Sequence, residues 1–298
     1  MQDCNCNNPL HVHFKDYFSE NINTWCTNCG NYGIQAAIKR ALVAEKIKPC
    51  RTLLCFDIGC HGNGADKIDG FRFHGLHGRV IPFACGAAIS NRKIKVIAFG
   101  GDGGSLGEGV NHLVSAIRSN YEVLFILHNN LNYGLTVGQA SPTTKAGVKM
   151  NASPDGITSD PIHPMKFVLS LHPAFAARTF SGDIHHMTKT FQAGIKHKGF
   201  GFIEVLQSCP TFNHMTPHEW YQKRVKDVNK IKNYDPKNIG KAMQIAEDLE
   251  TQIAIGVLYQ NPDSVPFMER QANRLKAKTE LTDEVRQFST GKLFDAFR

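Results

Sequence analysis

The sequence lacks the features that would place this protein outside the ordinary globular class. It has no run of about 18 apolar residues, so a membrane-spanning helix is not expected. Its polar first residues do not follow the charged-then-apolar plan of a signal peptide. Hydrophobic residues make up 42% and charged residues 20% of the 298 residues, a balance that excludes wholesale disorder. We therefore expect a cytoplasmic protein that does not contact a membrane.

The charge balance is moderately basic, but the sequence has no concentrated basic patch. Lysine plus arginine exceed aspartate plus glutamate by 34 to 26, which gives a formal net charge of +8. Because the basic residues are scattered, the pattern does not indicate a nucleic-acid-binding surface. An anionic cofactor or an acidic protein partner suits this charge equally well.

Nine cysteines, an odd number without an export signal, favour reduced thiols over a disulfide framework. Free cysteine is often a small buried apolar residue, so the ligands must be separated from the core positions. Cys55 and Cys85 fall inside a predicted strand and a predicted helix, where a core position is favoured roughly threefold. Cys4, Cys6 and Cys50 have no strong case as ligands.

Short apolar runs alternate with segments of helical spacing through most of the chain. The predicted strands are 52–56, 95–99, 122–127 and 202–206, and the predicted helices are 32–44, 82–90, 108–119 and 184–196. Continuous apolar runs of this length, each followed by an amphipathic segment, are typical of parallel strands under helices. The sequence therefore predicts an α/β fold, with a mostly parallel sheet covered by helices on both faces.

Two stretches depart from this alternation. Residues 134–164 are rich in Gly, Ser, Thr, Pro and Asp, which is typical of a functional or mobile loop. Beyond residue 225 charged helical segments take over, with a helix and a strand predicted over 240–258 and a tail over 266–298 that wraps a neighbour or stays mobile. We expect one cofactor domain over 1–225 and a C-terminal extension over 226–298.

Glycines and polar residues follow two consecutive predicted strands. The first strand leads into Gly100-Gly101-Asp102-Gly103-Gly104, and the second leads into His128-Asn129-Asn130. Ligands of open α/β sheets bind at the carboxyl ends of strands, where glycines admit a phosphate and a following helix offers free N–H groups. Asp102 would repel a phosphate, but it suits a divalent cation between them, with Asn130 and a backbone carbonyl as further ligands. Each motif alone is a common turn, but together they predict a site for Mg²⁺ and a diphosphate.

Two cysteines stand at CxxC spacing before the first predicted helix. Cys26 and Cys29 suit a zinc site, a dithiol pair or an iron–sulfur cluster, and the flanking sequence does not supply a thioredoxin-like context. A closed zinc or iron–sulfur site needs further thiolates. Cys60 and Cys209 are the candidates, because each comes just after a predicted strand, at the sheet edge already assigned to the diphosphate.

Taken together, these motifs resemble the beta subunit of the 2-oxoacid:ferredoxin oxidoreductases. The match runs from about Trp25 to Phe212 through WCTNCGN, DIGC, LHGR, the GDG-to-NN thiamine-diphosphate motif, YGLTVGQ-SPTT and SCP, in that order. The family usually has YGMTGGQ, so Leu135 and Val137 depart from it, as does Gly104, where an acid is typical. None of these departures removes an expected metal ligand. The resemblance implies the thiamine-diphosphate-binding fold.

The resemblance also implies which residues hold the cofactors. A [4Fe–4S] cluster close to the thiamine ring would be bound by Cys26, Cys29, Cys60 and Cys209. Mg²⁺ would be bound by Asp102, Asn130 and the main-chain carbonyl of Asn132. Residues expected around thiamine diphosphate are Gly59, Cys60, His61, His77, Gly101, Asp102, Gly103, Gly104, Asn130, Asn132, Tyr133, Gly134, Leu135 and Thr136.

His77 and Arg79, in the LHGR motif, are the predicted catalytic residues. The family places this motif by the thiamine, which favours a cofactor-facing role for His77 over a surface one. Arg79 would bind either the substrate carboxylate or a structural carboxylate, since a bidentate guanidinium suits both. Weaker candidates for lining a pocket are His61, Asn63, Gln139, Thr143 and Thr144. Ordinary turn chemistry explains the intervening Ser141-Pro142.

The reaction implied by the resemblance is the oxidative decarboxylation of a 2-oxoacid to acyl-CoA and CO₂. Electrons would leave singly through the cluster to ferredoxin, the acyl group would pass to coenzyme A, and the reaction would be reversible. The length and motif spacing slightly favour 2-oxoglutarate as the substrate.

Thiamine enzymes also need a glutamate beside the aminopyrimidine ring, and this chain has room for one thiamine-binding domain only. We therefore expect an alpha subunit that supplies the pyrimidine-binding domain and its glutamate, in an (αβ)₂ assembly. Two alternatives stay open: a subunit of a non-redox thiamine-dependent 2-oxoacid decarboxylase, and a non-catalytic, metal-stabilised scaffold.

Overall fold

The computed structural model describes residues 11–285 and Asp295. The strands are β1 Thr52–Phe56, β2 Phe71–His74, β3 Lys95–Gly101, β4 Val123–Asn129, β5 Phe175–Phe180, β6 Gly201–Leu206, β7 Val225–Asp227 and β8 Ile253–Gln260. The helices are α1 Gly30–Ala44, α2 Val80–Ser90, α3 Val110–Ser119, α4 Pro164–Ser170, α5 Ile184–Lys196, α6 His218–Arg224, α7 Ile239–Ala246 and α8 Ala272–Lys276. Within the described part of the chain, no helix combines the length and apolar composition needed to cross a bilayer.

The strands form one sheet in the order β2-β1-β3-β4-β6-β5-β8-β7. Strands β1 to β6 pair in parallel, while β8 runs antiparallel to β5 and parallel to β7. Every residue of the central strand β4 is buried, as expected for a parallel strand that is covered on both faces. The predicted mostly parallel sheet is confirmed.

Helices pack on both faces of this sheet. Successive strand residues point to opposite faces, so Ile97 and Phe99 of β3 pack with α1 and α5 on one side. Val96 and Ala98 pack on the other side, in a core that includes residues of α2, α3, α4 and α7. The two apolar layers confirm the predicted architecture and leave the carboxyl ends of the strands at one edge.

The sequence did not predict the strands β2, β5 and β7 or the helices α4 and α6. β2 is an edge strand of sequence FRFH with three of its four residues exposed, so it has no apolar run to find. β5 is fully buried but carries Arg178, whose Nε lies 2.8 Å from Glu204 Oε2 of β6. A search for uninterrupted apolar runs passes over a strand with an internal arginine. The short α4 lies at the end of the predicted loop.

Residues beyond 225 extend the same sheet. The helix and strand predicted over 240–258 are found as α7 and β8. In the tail, Arg92 Nε donates to Glu280 Oε2 at 3.0 Å, so this part of the tail is bound to its own chain. Residues 286–294 and 296–298 of the tail lie outside the described residues, and the division at 225/226 stays a prediction.

Candidate functional site

Three loops bring Cys26, Cys29, Cys60 and Cys209 to the carboxyl end of the sheet. Cys29 caps the start of α1, Cys60 lies in the loop after β1, and Cys209 lies in the loop after β6. Burial, to which the nearby thiols of the other three cysteines add, raises the pKa of the Cys60 thiol to about 12. Burial is also the main cause that raises the pKa of Cys29 to about 11, with Cys209 and Cys26 adding to it. The four thiols therefore lie close enough to interact electrostatically.

Hydrogen bonds hold these loops together. Gly30 N–H donates to the Ser208 carbonyl at 3.3 Å, which joins the CxxC loop to the loop of Cys209. Trp25 Nε1–H donates to the Cys60 carbonyl at 2.6 Å. Asn28 has a φ of 62°, a left-handed conformation that asparagine tolerates better than most residues and that turns the chain between the two cysteines of the motif.

The four cysteine side chains are not arranged as the ligands of a single metal ion. A zinc ion would hold each sulfur at about 2.3 Å from one centre. Across residues 11–285 and Asp295, no three His, Cys, Asp or Glu side chains are grouped in that way.

The remaining cysteines divide as follows. Cys55 and Cys85 are 0% and 7% exposed in the core, which confirms their structural assignment. Cys50 is disulfide-bonded, so the expectation of reduced thiols is wrong at that position. Cys4 and Cys6 lie outside the described residues.

Asp102 is buried at the carboxyl end of β3. Its Oδ2 accepts hydrogen bonds from Ser141 Oγ at 2.5 Å and from Thr143 Oγ1 at 2.6 Å. Burial raises the pKa of this carboxyl to about 6, and the two hydroxyls only partly oppose that effect. Backbone N–H groups of Asp102 and Gly103 also stabilise the carboxylate. A buried carboxylate that only neutral groups stabilise is the kind of ligand that a divalent cation favours. Sequence reasoning assigned Ser141 to turn chemistry and missed that it positions Asp102.

The loop after β4 supplies further oxygens beside Asp102. Gly101 of β3 pairs with His128 of β4, which puts this loop next to the glycine run. Asn132 N–H donates to Asn130 Oδ1 at 3.2 Å, and Asn132 Oδ1 is buried without a hydrogen-bond partner among the described residues. An unsatisfied buried oxygen beside a buried carboxylate fits a hard cation, so the residues present suit Mg²⁺.

The glycines after β3 are required by close packing. A Cβ at Gly103 would lie 2.1 Å from the ring of Tyr133, and a Cβ at Gly104 would lie 2.5 Å from Asp57 Oδ2. The Tyr133 hydroxyl also donates to the Gly103 carbonyl at 3.2 Å. A π-helical turn, Gly103–Glu108, begins here, ahead of the helix predicted over 108–119. Free N–H groups at the start of a helical turn suit a phosphate, so this cradle fits a diphosphate.

Cys60 links the cysteine loops to the Asp102 loops. A Cβ at Gly134 would lie 3.2 Å from Cys60 Sγ, so the loop after β4 passes directly over that sulfur. Beyond Gly134 the predicted contact residues Leu135 and Thr136 are exposed. Gly59 has a φ of 135°, which only glycine adopts readily.

The predicted catalytic residues both contact Glu108. His77 Nδ1 lies 3.0 Å from Glu108 Oε2, although the two groups are not aligned as a hydrogen bond. Arg79 Nη1 donates to the backbone carbonyls of Glu108 at 2.7 Å and of Gly78 at 3.3 Å. Arg79 therefore binds backbone carbonyls where sequence reasoning expected a carboxylate, because it caps α2 beside the loop that ends in Glu108.

Asp57 is a site residue that sequence reasoning missed. It directly follows β1, is fully buried, and accepts hydrogen bonds from the N–H groups of Ile58 at 2.8 Å and Gly78 at 2.9 Å. Burial raises the pKa of its carboxyl, while these N–H groups and His77 lower it. The rule that found Asp102, a polar residue directly after a buried strand, would also have found Asp57.

The chain is similar to known proteins over nearly its whole length. Residues 57–205 match the family described as "Thiamine pyrophosphate enzyme, C-terminal TPP binding domain". Residues 209–276 match a second family, described as the C terminal part of the pyruvate ferredoxin oxidoreductase beta subunit. The second match begins within the segment that the sequence analysis placed in the first domain.

Individual relatives agree with these matches. A "2-oxoacid:ferredoxin oxidoreductase subunit beta" from a Sulfolobus species is 38% identical over 88% of each chain. The "2-oxoglutarate synthase subunit KorB" of Archaeoglobus fulgidus is 32% identical over 65% of this chain and 72% of its own. The solved 2-oxoglutarate:ferredoxin oxidoreductase from Magnetococcus marinus, with 2-oxoglutarate, coenzyme A and succinyl-CoA bound, matches at a TM-score of 0.86 and 26% identity and covers 98% of both chains.

Proposed function

Because the chain belongs to the beta subunits of the 2-oxoacid:ferredoxin oxidoreductases, we propose that it takes part in the reversible oxidative decarboxylation of a 2-oxoacid. A 2-oxoacid, coenzyme A and two oxidised ferredoxins would give acyl-CoA, CO₂, a proton and two reduced ferredoxins. The observation that carries this proposal is the junction of the three cysteine loops and the Asp102 loops, where Gly134 packs on Cys60.

The residues around Asp102 would hold magnesium and thiamine diphosphate. Asp102, Asn130 and the Asn132 carbonyl would bind the cation, while Ser141 and Thr143 keep the Asp102 carboxylate in position. The glycine cradle at 101–104 would admit the diphosphate to its backbone N–H groups. His77 and Arg79 would stand beside this cradle through their contacts with Glu108.

The four cysteines would hold one [4Fe–4S] cluster. They come from three loops at one sheet edge, and four thiolates are the ligand set of such a cluster, which membership of this family favours over zinc. When bound, thiamine diphosphate supplies the carbanion chemistry that releases CO₂ from a 2-oxoacid, and the cluster accepts electrons singly. A non-redox decarboxylase would have no need of four cysteines beside the diphosphate site.

We propose 2-oxoglutarate as the preferred substrate and an alpha subunit as the partner. Relatives named for 2-oxoglutarate and a solved 2-oxoglutarate enzyme of the same fold support the substrate. The thiamine-family match covers the C-terminal binding domain alone, so an alpha subunit would supply the pyrimidine-binding domain and its glutamate, in an (αβ)₂ assembly. The net charge of +8 suits an acidic ferredoxin.

The test is 2-oxoacid-dependent reduction of viologen by the complex with its alpha subunit, purified without oxygen. We expect reduction that requires coenzyme A and is fastest with 2-oxoglutarate in a panel of 2-oxoacids. Cys209→Ala should abolish it, while Cys85→Ala, a core cysteine remote from the cluster loops, should retain it. An iron-free complex that releases CO₂ without reducing viologen would instead support the non-redox decarboxylase.

A further inference from the structure

A small cavity lies between α1 and the sheet, behind the cysteine loops. Its volume is about 20 Å³, and its polar lining residues include Asn31 of α1, His61 after β1 and His128 of β4. Gln35 and Trp25 also line it, but their side-chain N–H groups already donate to the Lys67 and Cys60 carbonyls. Apolar side chains, among them Phe56 and Phe99, close the remainder. A space of more than about 10–15 Å³ can hold a water molecule if two to four polar groups surround it.

Each of the three polar residues brings an unsatisfied atom. Asn31 Nδ2, His61 Nε2 and His128 Nε2 are buried and form no hydrogen bond with any residue that the structure describes. Their side chains belong to residues that are 2%, 6% and 5% exposed, and the two imidazole centroids are 5.3 Å apart. Buried polar groups in native proteins almost always have a partner, so three such atoms around one cavity point to a ligand.

The chemistry of these atoms selects the ligand. His128 Nδ1 lies 3.0 Å from both Asn31 Oδ1 and Gln207 Oε1. Facing two acceptor oxygens, Nδ1 carries the ring proton, which leaves Nε2 as an acceptor. The ligand must therefore donate a hydrogen bond to His128 Nε2 and accept a hydrogen bond from the Asn31 amide. A metal ion cannot accept from an N–H group, and an aprotic anion cannot donate, whereas water does both.

We propose that Asn31, His61 and His128 bind one ordered water molecule in this cavity. The water bonds Nε2 of both histidine rings and holds the His128 tautomer with its Nδ1–H toward Gln207. His61 is also held from the other side, since a Cβ at Gly59 or Gly101 would lie within 3.0 Å of its ring.

The water then acts on the cysteine loops through Gln207. With its Oε1 occupied by His128, Gln207 turns Nε2 toward Cys29 Sγ, which lies 3.9 Å away. Hydrogen bonds to the sulfurs are one of the factors that set the potential of an iron–sulfur cluster. Asn31 and His128 are therefore positioning residues for a cluster ligand, a consequence that depends on the proposed function, whereas the water site itself does not.

A high-resolution crystal structure of the anaerobically purified complex with the alpha subunit tests the site. We expect one density peak of water height within hydrogen-bond distance of Asn31 Nδ2 and His128 Nε2, and its loss in Asn31→Leu. A dry cavity, or a peak with an anomalous metal signal, overturns the proposal. A complex without iron that still shows the water would contradict the proposed function and leave the water site standing.

The coupling to the cluster is tested by redox titration followed by electron paramagnetic resonance. The midpoint potential should become more negative in Asn31→Leu, His128→Phe and Gln207→Leu, because each weakens the hydrogen bond to Cys29. His197→Phe is the matched control, a half-buried histidine outside the cavity, and should leave the potential unchanged. An unchanged potential in Gln207→Leu, the variant that leaves the cavity intact, contradicts the coupling even if the others fold poorly.

Discussion

At the scale of the residue, the environment of Asp102 decides what the site can bind. The side chain is 1% exposed, and two hydroxyl groups donate to the same carboxylate oxygen. Those hydroxyls fix the carboxylate without neutralising it, since each brings a dipole and no charge. A buried negative charge in this state favours a cation, which supports the proposed Mg²⁺ site.

Removing the Asp102 charge should therefore weaken cofactor binding more than removing one hydroxyl that holds the carboxylate in position. Asp102→Asn should weaken Mg²⁺-dependent binding of thiamine diphosphate by more than about 100-fold, and Thr143→Ala by about 10–100-fold, the range typical of groups that orient a metal ligand. Calorimetric titration of the coenzyme with and without Mg²⁺ measures both. Thr188→Ala is the control, because that hydroxyl bonds only the backbone of α5. Equal affinities in Asp102→Asn and the parent protein would exclude the site.

The burial of His197 predicts how the free energy of unfolding depends on pH. Burial lowers the pKa of His197, which packs on Phe175, to about 4. In the unfolded chain the His197 ring is protonated near the ordinary histidine pKa of about 6.5. Above that pH the ring is neutral in both the folded and the unfolded state, so His197 does not destabilise the fold. As the pH falls from about 6.5 to 4, the unfolded state is favoured by about 2 kcal/mol, after allowance for partial exposure of the ring.

His197→Phe keeps a ring against Phe175 and removes the titrating nitrogen. Comparing unfolding of the parent and the variant from pH 7 to pH 4 isolates this contribution from that of other acid-sensitive groups. The parent should lose stability faster than the variant. Parallel losses in the two proteins would show that His197 is not buried in its neutral form.

At the scale of the element, the sheet edge explains why residues distant in sequence meet. β1, β3, β4 and β6 are parallel neighbours, so the loops that follow them emerge side by side. Those loops carry Asp57 and Cys60, Asp102, Asn130, and Cys209. The approach of the β3 loop to the β4 loop then depends on the missing side chain at Gly103, where Tyr133 packs.

Two glycine-to-alanine substitutions distinguish the effect of an added Cβ on this loop packing from its effect on helix propensity. Gly103→Ala should displace Tyr133 and weaken thiamine diphosphate binding at least tenfold, since its Cβ would lie 2.1 Å from the ring. Gly86→Ala, within α2 and with no atom within 4 Å of the added Cβ, should leave binding unchanged and stabilise the protein by about 0.5–1 kcal/mol. Binding titrations and thermal melts measure the two effects. Full affinity in Gly103→Ala would contradict the close approach of the loops.

How much the sequence could predict differs from element to element. Helix α5 begins and ends at its predicted residues, and β1 does the same, because apolar periodicity alone determines both. β5 could not be found by that rule, since the ion pair of Arg178 with Glu204 forms only when β6 lies beside it. The strand-end motifs located Asp102 and Asn130. The contacts of Ser141 with Asp102 and of His128 with Gln207 depend on how loops pack, which no local pattern encodes.

At the scale of the whole molecule, the chain contains a domain of the thiamine family, and the proposed cofactor sites lie at the carboxyl ends of its parallel strands. The similarity to a beta subunit extends over 88% of the chain. We therefore expect the surface that contacts an alpha subunit to be shared with those relatives. Because the matched thiamine domain is the C-terminal binding type, the chain should contribute half of the coenzyme site. The catalytic glutamate would come from the alpha subunit.

The isolated chain should therefore lack turnover. Purified alone without oxygen, it should contain iron but reduce viologen with 2-oxoglutarate at less than about 1% of the rate of the complex, because activation of the coenzyme by a positioned acid is missing. Adding the purified alpha subunit should restore the rate. Robust turnover by the chain alone would mean that the pyrimidine-binding function lies within it.

The most direct measurement is freeze-quench electron paramagnetic resonance on the complex after mixing with 2-oxoglutarate, with no ferredoxin present. We expect the substrate to generate the signal of a reduced [4Fe–4S] cluster. The signal should be absent in Asp102→Asn, which would keep its cluster but lose the coenzyme, and in Cys60→Ser, which would lose the cluster. Cys85→Ala should retain it. A full signal in Asp102→Asn, or none in the parent complex with both cofactors present, would contradict the claim that the two sites adjoin and exchange electrons.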